Sequence, residues 1–156
     1  MADVTVYTDG GAKGNPGPGG YAAVLTSGSH KREISGGFRH TTNNRMELFA
    51  AIAALEALTK PCKVTFYSDS KYLVDAFAKN WIAGWKKRGW KKADKSDVLN
   101  KDLWLRLTTA AEPHDISWNW VKGHAGNVGN ERCDELVGEA VAAGNLPPDL
   151  GYAATQ

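Results

Sequence analysis

The sequence predicts an α/β domain with five strands and five main helices. Segments in which apolar and polar residues alternate, as in half-buried strands, are interspersed with segments that have helical apolar spacing. Short connections join the first three strands, which is typical of an antiparallel meander. The hexapeptides VTVYTD (residues 4–9) and VTFYSD (residues 64–69) are nearly identical, and the long helical stretch between them is the kind of connection that two parallel neighbouring strands require.

The five strands are predicted from this alternation and from the turn residues between them. They cover residues 3–9, 21–27, 31–40, 63–69 and 115–121. Eight of the eleven residues after Asp9 are Gly or Pro, and we expect them to form a sharp turn. This turn is not a nucleotide-binding loop. No Gly-Lys-Ser/Thr follows Lys13, and the partial match at Gly17, Gly19 and Ala22 leads into a strand, whereas a dinucleotide fingerprint opens a helix.

The helices are predicted at residues 41–60, 70–80, 81–88, 99–111 and 130–143. In the first helix, Asn44 is followed three residues later by Glu47, which matches a capping box. Gly144 ends the last helix. We therefore expect one domain over residues 1–143 and a loosely held, flexible tail over residues 144–156.

Composition indicates a soluble, cytoplasmic protein. The chain has 156 residues, enough for one domain with its own core. Its two cysteines, Cys62 and Cys133, provide neither a disulfide framework nor a metal-binding spacing, which favours a reducing compartment. The longest apolar run, residues 48–55, is far shorter than the ~20 residues of a membrane span, and the N-terminus has no signal pattern, so we expect no membrane association.

Positive charge is concentrated in one segment. Residues 79–95 contain seven Lys or Arg and one acid, whereas the net charge of the whole chain is +2. The rest of the chain is therefore net negative. A basic, tryptophan-containing segment on an acidic body favours a polyanionic partner that docks at one place, although a solvated helix with surface lysines has the same composition.

Two aspartates end the near-identical strands. Asp9 and Asp69 each lie two residues after a tyrosine, and residues two apart on a strand point to the same face. If the strands are parallel neighbours in this register, both carboxylates share a face and meet at the carboxyl edge of the sheet, where open α/β sheets bind ligands. Carboxylates roughly 5 Å apart repel each other, so either one of them stays protonated or a cation lies between them, and a divalent cation such as Mg²⁺ is the commoner solution. The alternative is that Asp is frequent at strand ends.

Two further acids lie on helices. Glu47 fits a capping role, but it falls on an apolar stripe opposite Arg45 and Glu56, where a carboxylate needs compensation such as a bound metal. Asp134 falls beside the apolar arc of the last helix, whereas the three glutamates of that helix point away.

A histidine follows the last strand. His124 lies in the segment VKGHAGN. The ordinary pKa of a histidine, about 6.5, suits a proton shuttle, and the alternative is a surface histidine.

Five segments together resemble a known family. YTDGG…GNPGPGGY, TTNNRMEL, YSDSKY, WVKGHAGN and NERCDELV occur in the order and spacing of type 1 ribonuclease H, from residue 4 to about residue 143. The segment WKKRGWKKADK resembles the basic handle of the bacterial branch. The resemblance implies a mixed five-stranded sheet in which strands 1, 4 and 5 are parallel, flanked by helices. It also implies cleavage of the RNA strand of an RNA–DNA hybrid that leaves 3′-hydroxyl and 5′-phosphate ends.

The resemblance further implies a two-metal active site. The four acidic ligands of the family correspond to Asp9, Glu47, Asp69 and Asp134, and its catalytic histidine corresponds to His124. Two Mg²⁺ ions, for which Mn²⁺ is an alternative, would flank the scissile phosphate.

Other positions correspond to substrate contacts of the family. Asn15, Asn43 and Asn44 would approach the minor groove and detect the 2′-hydroxyl. The pocket for a DNA-strand phosphate corresponds to Thr42 and Asn100, with His40 in place of a frequent Arg, a departure that weakens the pocket near and above neutral pH.

The basic handle corresponds to residues 79–95. Its substrate-binding side chains would be Trp81, Trp85, Lys86, Lys87, Arg88 and Trp90. We expect Trp81 and Trp85, four residues apart, to pack beneath the handle rather than stack on nucleic acid. The lysines would contribute sequence-independent, salt-sensitive binding.

The sequence favours a monomeric Mg²⁺-dependent hybrid-specific ribonuclease over two alternatives. A catalytically silent hybrid-binding module would have lost at least one of the acids. Another polynucleotidyl transferase of this fold, such as a resolvase or integrase, would share the acidic cluster but would lack TTNNRMEL and the handle.

Overall fold

A mixed five-stranded sheet forms the centre of the molecule. The structure, a computed structural model, describes residues 1–122 and 127–155. The strands are β1 (Ala2–Ala12), β2 (Gly17–Ser27), β3 (His30–Thr41), β4 (Cys62–Ser68) and β5 (Asp115–Trp120), and their spatial order is β3-β2-β1-β4-β5. β1, β2 and β3 pair antiparallel, whereas β4 runs parallel to β1 and β5 runs parallel to β4. The α/β class and the mixed sheet that the sequence predicts are thus confirmed.

Six helices flank this sheet in the described part of the chain. They are α1 (Asn43–Glu56), α2 (Lys71–Ala78), α3 (Trp81–Lys87), α4 (Lys101–Ala111), α5 (Val128–Ala143) and α6 (Leu150–Ala153). Within residues 1–122 and 127–155, no helix has both the length and the apolarity that crossing a bilayer requires.

The register between β1 and β4 is the one that the repeated hexapeptides predict. Val4 pairs with Val64, and the pairing continues in step to Thr8 and Ser68. The rings of Tyr7 and Tyr67 stack at 4.8 Å between centroids. Asp9 and Asp69 follow directly after the paired residues, so β1 and β4 each place a carboxylate at the same edge of the sheet.

The glycine-rich segment is mainly strand rather than turn. β1 continues through Gly10 to Ala12, and β2 already begins at Gly17, so the connection is shorter than the expected turn. A Cβ atom on Gly10 would clash with the backbone of Met46 and Glu47. The glycine therefore lets α1 approach the end of β1 closely.

The two faces of the sheet bury different clusters. On one face, the large core contains Val6, Phe66, Ile52 and Trp104 and joins α1 and α4 to the strands. On the other face, α5 packs against β2 through a small cluster that includes Cys133, with Tyr7 beside it. The sheet thus lies between helical layers, and its carboxyl edge is reached from α1 on one face and from α5 on the other.

α1 is capped by a residue other than the expected one. Thr42 is its N-cap, and the Thr42 hydroxyl accepts a hydrogen bond from Arg45 N at 3.2 Å. The capping box predicted at Asn44 and Glu47 is therefore wrong, because the N-cap lies two residues earlier, at Thr42. Asn43 and Asn44 instead lie exposed in the first turn.

The segment expected to be a loosely held tail makes specific contacts. Asp149 is buried, accepts a hydrogen bond from Thr41 Oγ1 at 2.7 Å and forms an ion pair with Arg45. Arg39 N donates to the Pro147 carbonyl at 2.9 Å. The buried charge of Arg45 thus attracts a partner from the chain terminus, which the composition of the tail does not reveal.

Candidate active site

Three carboxylates meet at the carboxyl edge of the sheet. Asp9 lies on β1, Glu47 on the second turn of α1, and Asp69 directly after β4. Each contributes an oxygen to a group whose members lie within 4.8 Å of one another. All three line an open cavity of about 510 Å³.

A single backbone N–H orients two of these carboxylates. Gly10 N donates to Asp9 Oδ1 at 2.8 Å and to Glu47 Oε1 at 3.1 Å. The other oxygen of Glu47, Oε2, is buried and receives no hydrogen bond from the residues that the structure describes. Because an unpartnered buried carboxylate oxygen is costly, Glu47 is suited to a cation ligand role and not to a helix cap.

Burial and repulsion within this group raise the pKa values of Asp9 and Glu47. Burial, followed by the charge of Asp69, raises the pKa of Asp9 to about 7. Burial, followed by the charge of Asp9, raises the pKa of Glu47 well above its ordinary value. The three clustered carboxylates fit a divalent cation such as Mg²⁺, because all their donors are hard oxygens and the cation would compensate the repulsion that raises the pKa values of Asp9 and Glu47.

The shifted pKa of Asp9 predicts how pH affects the metal-free protein. A carboxyl whose pKa is raised on folding binds a proton more tightly in the folded state, so its contribution to stability is lost as pH rises from about 4 to about 7. We expect the Asp9→Asn variant in EDTA to be more stable than the parent protein by about 2–4 kcal/mol at pH 8 and to approach it near pH 4. Urea unfolding at each pH measures this difference. Equal stabilities at pH 8 would contradict the raised pKa.

Two further residues, Asp134 and His124, were predicted to be catalytic. Asp134, on α5, lines the same cavity, and its charge contributes to the raised pKa of Asp9. Its side chain is exposed, and its oxygens are not part of the 4.8 Å group. His124 lies outside the described residues.

Comparison with known proteins assigns the chain to a family. A family model described as RNase H matches residues 1–142. The chain belongs to the RNase H family.

Relatives of this family span nearly the whole chain. Ribonuclease H of Proteus mirabilis is 57% identical over 153 residues, covering 98% of this chain and 95% of its own. Ribonuclease H of Erwinia tasmaniensis is 55% identical over 152 residues, covering 97% of each chain.

Solved structures of the RNase H family share the fold. LC9-RNase H1, described as a type 1 RNase H with the type 2 active-site motif, superposes with a TM-score of 0.82 at 30% identity, covering 92% of this chain and 74% of that one. LC11-RNase H1, solved in complex with an RNA/DNA hybrid, gives a TM-score of 0.66 at 27% identity and covers 90% and 97% of the two chains.

Two of the three asparagines expected to contact substrate are hydrogen-bonded to each other, and the third, Asn44, follows Asn43 directly in the chain. Asn43 N donates to Asn15 Oδ1 at 2.9 Å, and Asn43 Oδ1 accepts from Ala12 N at 2.6 Å. Asn43 and Asn44 also line the acidic cavity. Since the side-chain oxygens of Asn15 and Asn43 accept hydrogen bonds from the backbone, their NH₂ groups are the atoms available to a substrate.

The residues of the expected phosphate pocket lie next to this asparagine group. Asn100 Oδ1 accepts from Arg45 Nη1 at 3.4 Å, and Asn100 Nδ2 donates to the Tyr72 hydroxyl at 3.3 Å. Thr42 and Asn100 line one common cavity. The ring of His40 is exposed and packs against Tyr152 at 5.5 Å between centroids.

The handle separates its aromatic residues from its charged residues. Trp85 is half-buried and contacts the rings of Trp90 and Trp104 at 6.0 and 5.2 Å between centroids. Trp81 is 37% exposed, and its ring lies 6.4 Å from that of Trp85. The charged side chains, Lys86, Lys87 and Arg88, are exposed.

The structure adds residues that sequence reasoning did not assign. Trp120, the last residue of β5, donates from Nε1 to the Asp69 carbonyl at 3.0 Å, and Lys71 Nζ lies 4.8 Å from the centroid of its ring. Arg45 was predicted on one helical stripe with Glu56, opposite Glu47, and the structure shows that it is buried. The helical pattern does not predict the burial of Arg45, because its ion-pair partners come from segments that are distant in the sequence.

Proposed function

We propose that this chain is an endoribonuclease that hydrolyses the RNA strand of RNA–DNA hybrids and leaves 3′-hydroxyl and 5′-phosphate ends. The observation that carries the proposal is the convergence of Asp9, Glu47 and Asp69, with an unpartnered buried oxygen on Glu47, at one edge of an RNase H fold. The complex of LC11-RNase H1 with an RNA/DNA hybrid supports the choice of substrate.

Two Mg²⁺ ions are the proposed cofactors, with Mn²⁺ as an alternative. Asp9, Glu47 and Asp69 would hold them, with Asp134 completing the set from α5. When bound, such ions activate water for in-line attack and neutralise the charge of the transferring phosphate. The three clustered carboxylates fit hard cations because all the donors are oxygens.

Three further groups would complete the catalytic machinery. Asp134 would orient the attacking water from α5, where its exposed side chain lines the cavity. His124 would carry a proton away from the site or to the leaving 3′-oxygen, since an imidazole titrates near neutral pH. Gly10 N fixes the orientation of Asp9 and Glu47 before substrate binds.

The asparagine group would identify the RNA strand. Asn15 and Asn43 present NH₂ donors because their oxygens accept backbone hydrogen bonds, and Asn44 lies exposed beside them. A 2′-hydroxyl accepts such a hydrogen bond, whereas DNA has no group there. Because Asn43 and Asn44 line the acidic cavity, a ribose held by them would place its phosphate near the carboxylates.

The DNA strand would be held by sites farther from the carboxylates. Thr42, Asn100 and His40 would contact one phosphate of that strand, and the exposed charges of the handle would contact others. Trp81 and Trp90 would extend the handle surface, whereas Trp85 supports it from below.

The proposal includes a monomeric enzyme of the cytoplasm. The three clustered carboxylates come from a single chain, so the catalytic group needs no second copy. Cys62 and Cys133 are buried free thiols, which suits a reducing compartment.

Cleavage specificity tests this proposal directly. A labelled RNA–DNA hybrid, dsRNA and dsDNA of one sequence are incubated with the protein in Mg²⁺, in Mn²⁺ and in EDTA. We expect cleavage of the hybrid alone and only with a divalent metal, with products that carry 5′-phosphate ends. Absence of metal-dependent hybrid cleavage would refute the proposal.

Charge removal from the handle is expected to weaken substrate binding without altering the chemical step. Replacement of Lys86, Lys87 and Arg88 by Ala should raise KM for the hybrid about tenfold at 50 mM salt, leave kcat nearly unchanged, and reduce the slope of log KM against log salt by about 2–3. The control is the double variant Lys60→Ala, Lys63→Ala, which removes two charges at the amino end of β4, the end opposite Asp69. An unchanged KM in the handle variant would show that the handle does not contact substrate.

A further inference from the structure

A second cavity lies beside the acidic one and is walled partly by the tail. Its volume is about 940 Å³. Its lining comes from the Asn15 loop, the start of α1, the segment that leads into α4 and the first turns of α4, and the α6 region. Asn43 and Asn44 line both cavities. A duplex lying across these asparagines therefore extends from the carboxylates into the second cavity.

The tail is fixed to the domain at the base of this cavity. Asp149 receives Arg45 Nε at 2.8 Å, Arg45 Nη2 at 3.0 Å and Thr41 Oγ1 at 2.7 Å. Its Oδ1 also accepts from Tyr152 N at 3.3 Å, which caps α6. These contacts give α6 a defined position relative to the phosphate-pocket residues.

Tyr152 is the tail side chain best placed to meet a ligand. It is half-buried and lines the second cavity, together with Gly151, Ala154 and Thr155 from the same segment. Its ring packs against that of His40, which in turn belongs to the proposed phosphate pocket. An aromatic ring with a hydroxyl group thus borders the pocket on the side away from the carboxylates.

The charge of the cavity admits a nucleic-acid backbone. Its two carboxylates are paired: Asp102 binds the Arg45 guanidinium at 2.8 Å, and Asp97 binds Lys91 at 2.6 Å. Lys101 is a further cation of the lining. The remaining polar residues are neutral: Asn15, Thr42, Asn43, Asn44, Asn100, Tyr152 and Thr155. Amides and hydroxyls of this kind suit sugar and phosphate oxygens.

We propose that Tyr152 contacts the DNA strand of the hybrid, next to the phosphate held by Thr42 and Asn100. The phenol hydroxyl donates a hydrogen bond to a backbone phosphate, and the ring packs on the adjacent deoxyribose. The face of α6 that carries Tyr152 and lines the cavity is therefore part of the substrate surface, whereas Leu150 lies outside the lining. The assignment rests on the proposed hybrid cleavage, and it adds a strand-positioning residue that touches no reacting atom.

Steady-state kinetics of three variants test this role. Tyr152→Ala should raise KM for the hybrid about five- to tenfold with kcat nearly unchanged, and Tyr152→Phe should raise it about two- to threefold because the ring remains. Leu150→Ala, on the same short helix and 73% exposed, is the matched control with an unchanged KM. Melting temperatures of all variants are measured, since a purely structural role would lower stability and kcat together.

Modified hybrids separate a contact from an indirect effect. Single methylphosphonates are placed in turn along the DNA strand, and KM is measured for the parent protein and for Tyr152→Ala. If Tyr152 contacts a phosphate, a methylphosphonate at one DNA position raises the KM of the parent protein. The same methylphosphonate then causes little further increase in the KM of Tyr152→Ala, because the contact is already lost, and this non-additivity is energetic coupling. Coupling at an RNA-strand position, or equal sensitivity of both proteins at every position, would overturn the proposal. Failure of the parent protein to cleave any hybrid would instead refute the proposed function.

Discussion

Replacement of Asp9 by Asn is expected to lower kcat on an RNA–DNA hybrid by about 1,000-fold or more while hybrid binding is retained. Asp9 is one of the three clustered carboxylates, and the charges of Asp69 and Asp134 both act on it. An amide carries no negative charge, so the site loses one of the three clustered carboxylates that would hold the proposed cations. The substitution should therefore slow the chemical step while hybrid binding is retained.

The fold should tolerate this substitution. The Asn Oδ1 can still accept the hydrogen bond that Gly10 N donates at 2.8 Å to Asp9. One of three clustered charges disappears, which relieves repulsion and is the reason for the stability gain expected at pH 8. A loss of activity therefore cannot be attributed to unfolding if the melting temperature rises.

Matched variants make the result specific. Glu139→Gln removes a carboxylate from α5 whose side chain is 65% exposed, and we expect full activity from it. Asp134→Asn should reduce kcat less than Asp9→Asn, because Asp134 lies outside the 4.8 Å group. Fluorescence anisotropy with a labelled hybrid in Ca²⁺ measures binding. More than a tenth of parental activity in Asp9→Asn would exclude a metal-ligand role for this residue.

The acidic group could be predicted from sequence because local periodicities determine its geometry. Strand residues alternate with a period of two, so the repeated hexapeptides set both the register and the shared edge of Asp9 and Asp69. The position of Glu47 on an apolar helical stripe likewise anticipated its burial. These inferences need only one strand pair and one helix, each of which the chain specifies locally.

The surroundings of Arg45 could not be predicted because they depend on tertiary contacts. Its helical position resembled that of the exposed Glu56, and nothing local indicates that Asp102 and Asp149 approach it from α4 and from the tail. The docked tail was missed for the same reason. A segment rich in Pro and Gly has weak local structure, and its position follows from one buried ion pair.

The second large effect is expected at this ion pair. Arg45 is 2% exposed and binds Asp102 through both Nη atoms and Asp149 through Nε and Nη2. Arg45→Ala should lower the free energy of unfolding by about 3–5 kcal/mol, because Asp149 would remain buried without its cation. Arg45→Lys should recover only part of this loss, since an ammonium cannot form two bidentate pairs.

A surface pair of similar geometry serves as the control. Arg106 binds Glu56 at 2.8 and 2.7 Å, but the two side chains are 50% and 39% exposed. Arg106→Ala should therefore cost at most about 1 kcal/mol. Urea unfolding at pH 7 compares the variants. Equal losses at the two sites would show that the burial of Arg45 has no energetic consequence.

The dependence on pH gives an independent measurement of the same interaction. Hydrogen bonds from Arg45 lower the pKa of Asp102. For Asp149, burial alone would raise the pKa, but hydrogen bonds from Arg45 and Thr41 hold it below its ordinary value. Carboxyl groups with lowered pKa values contribute stability above pH ~4 and lose it as pH falls through their folded-state values. The stability difference between the parent and Arg45→Ala should thus be full at pH 6 and should shrink below pH 4. A difference that stayed constant down to pH 2 would mean that packing, rather than charge pairing, holds the tail in place.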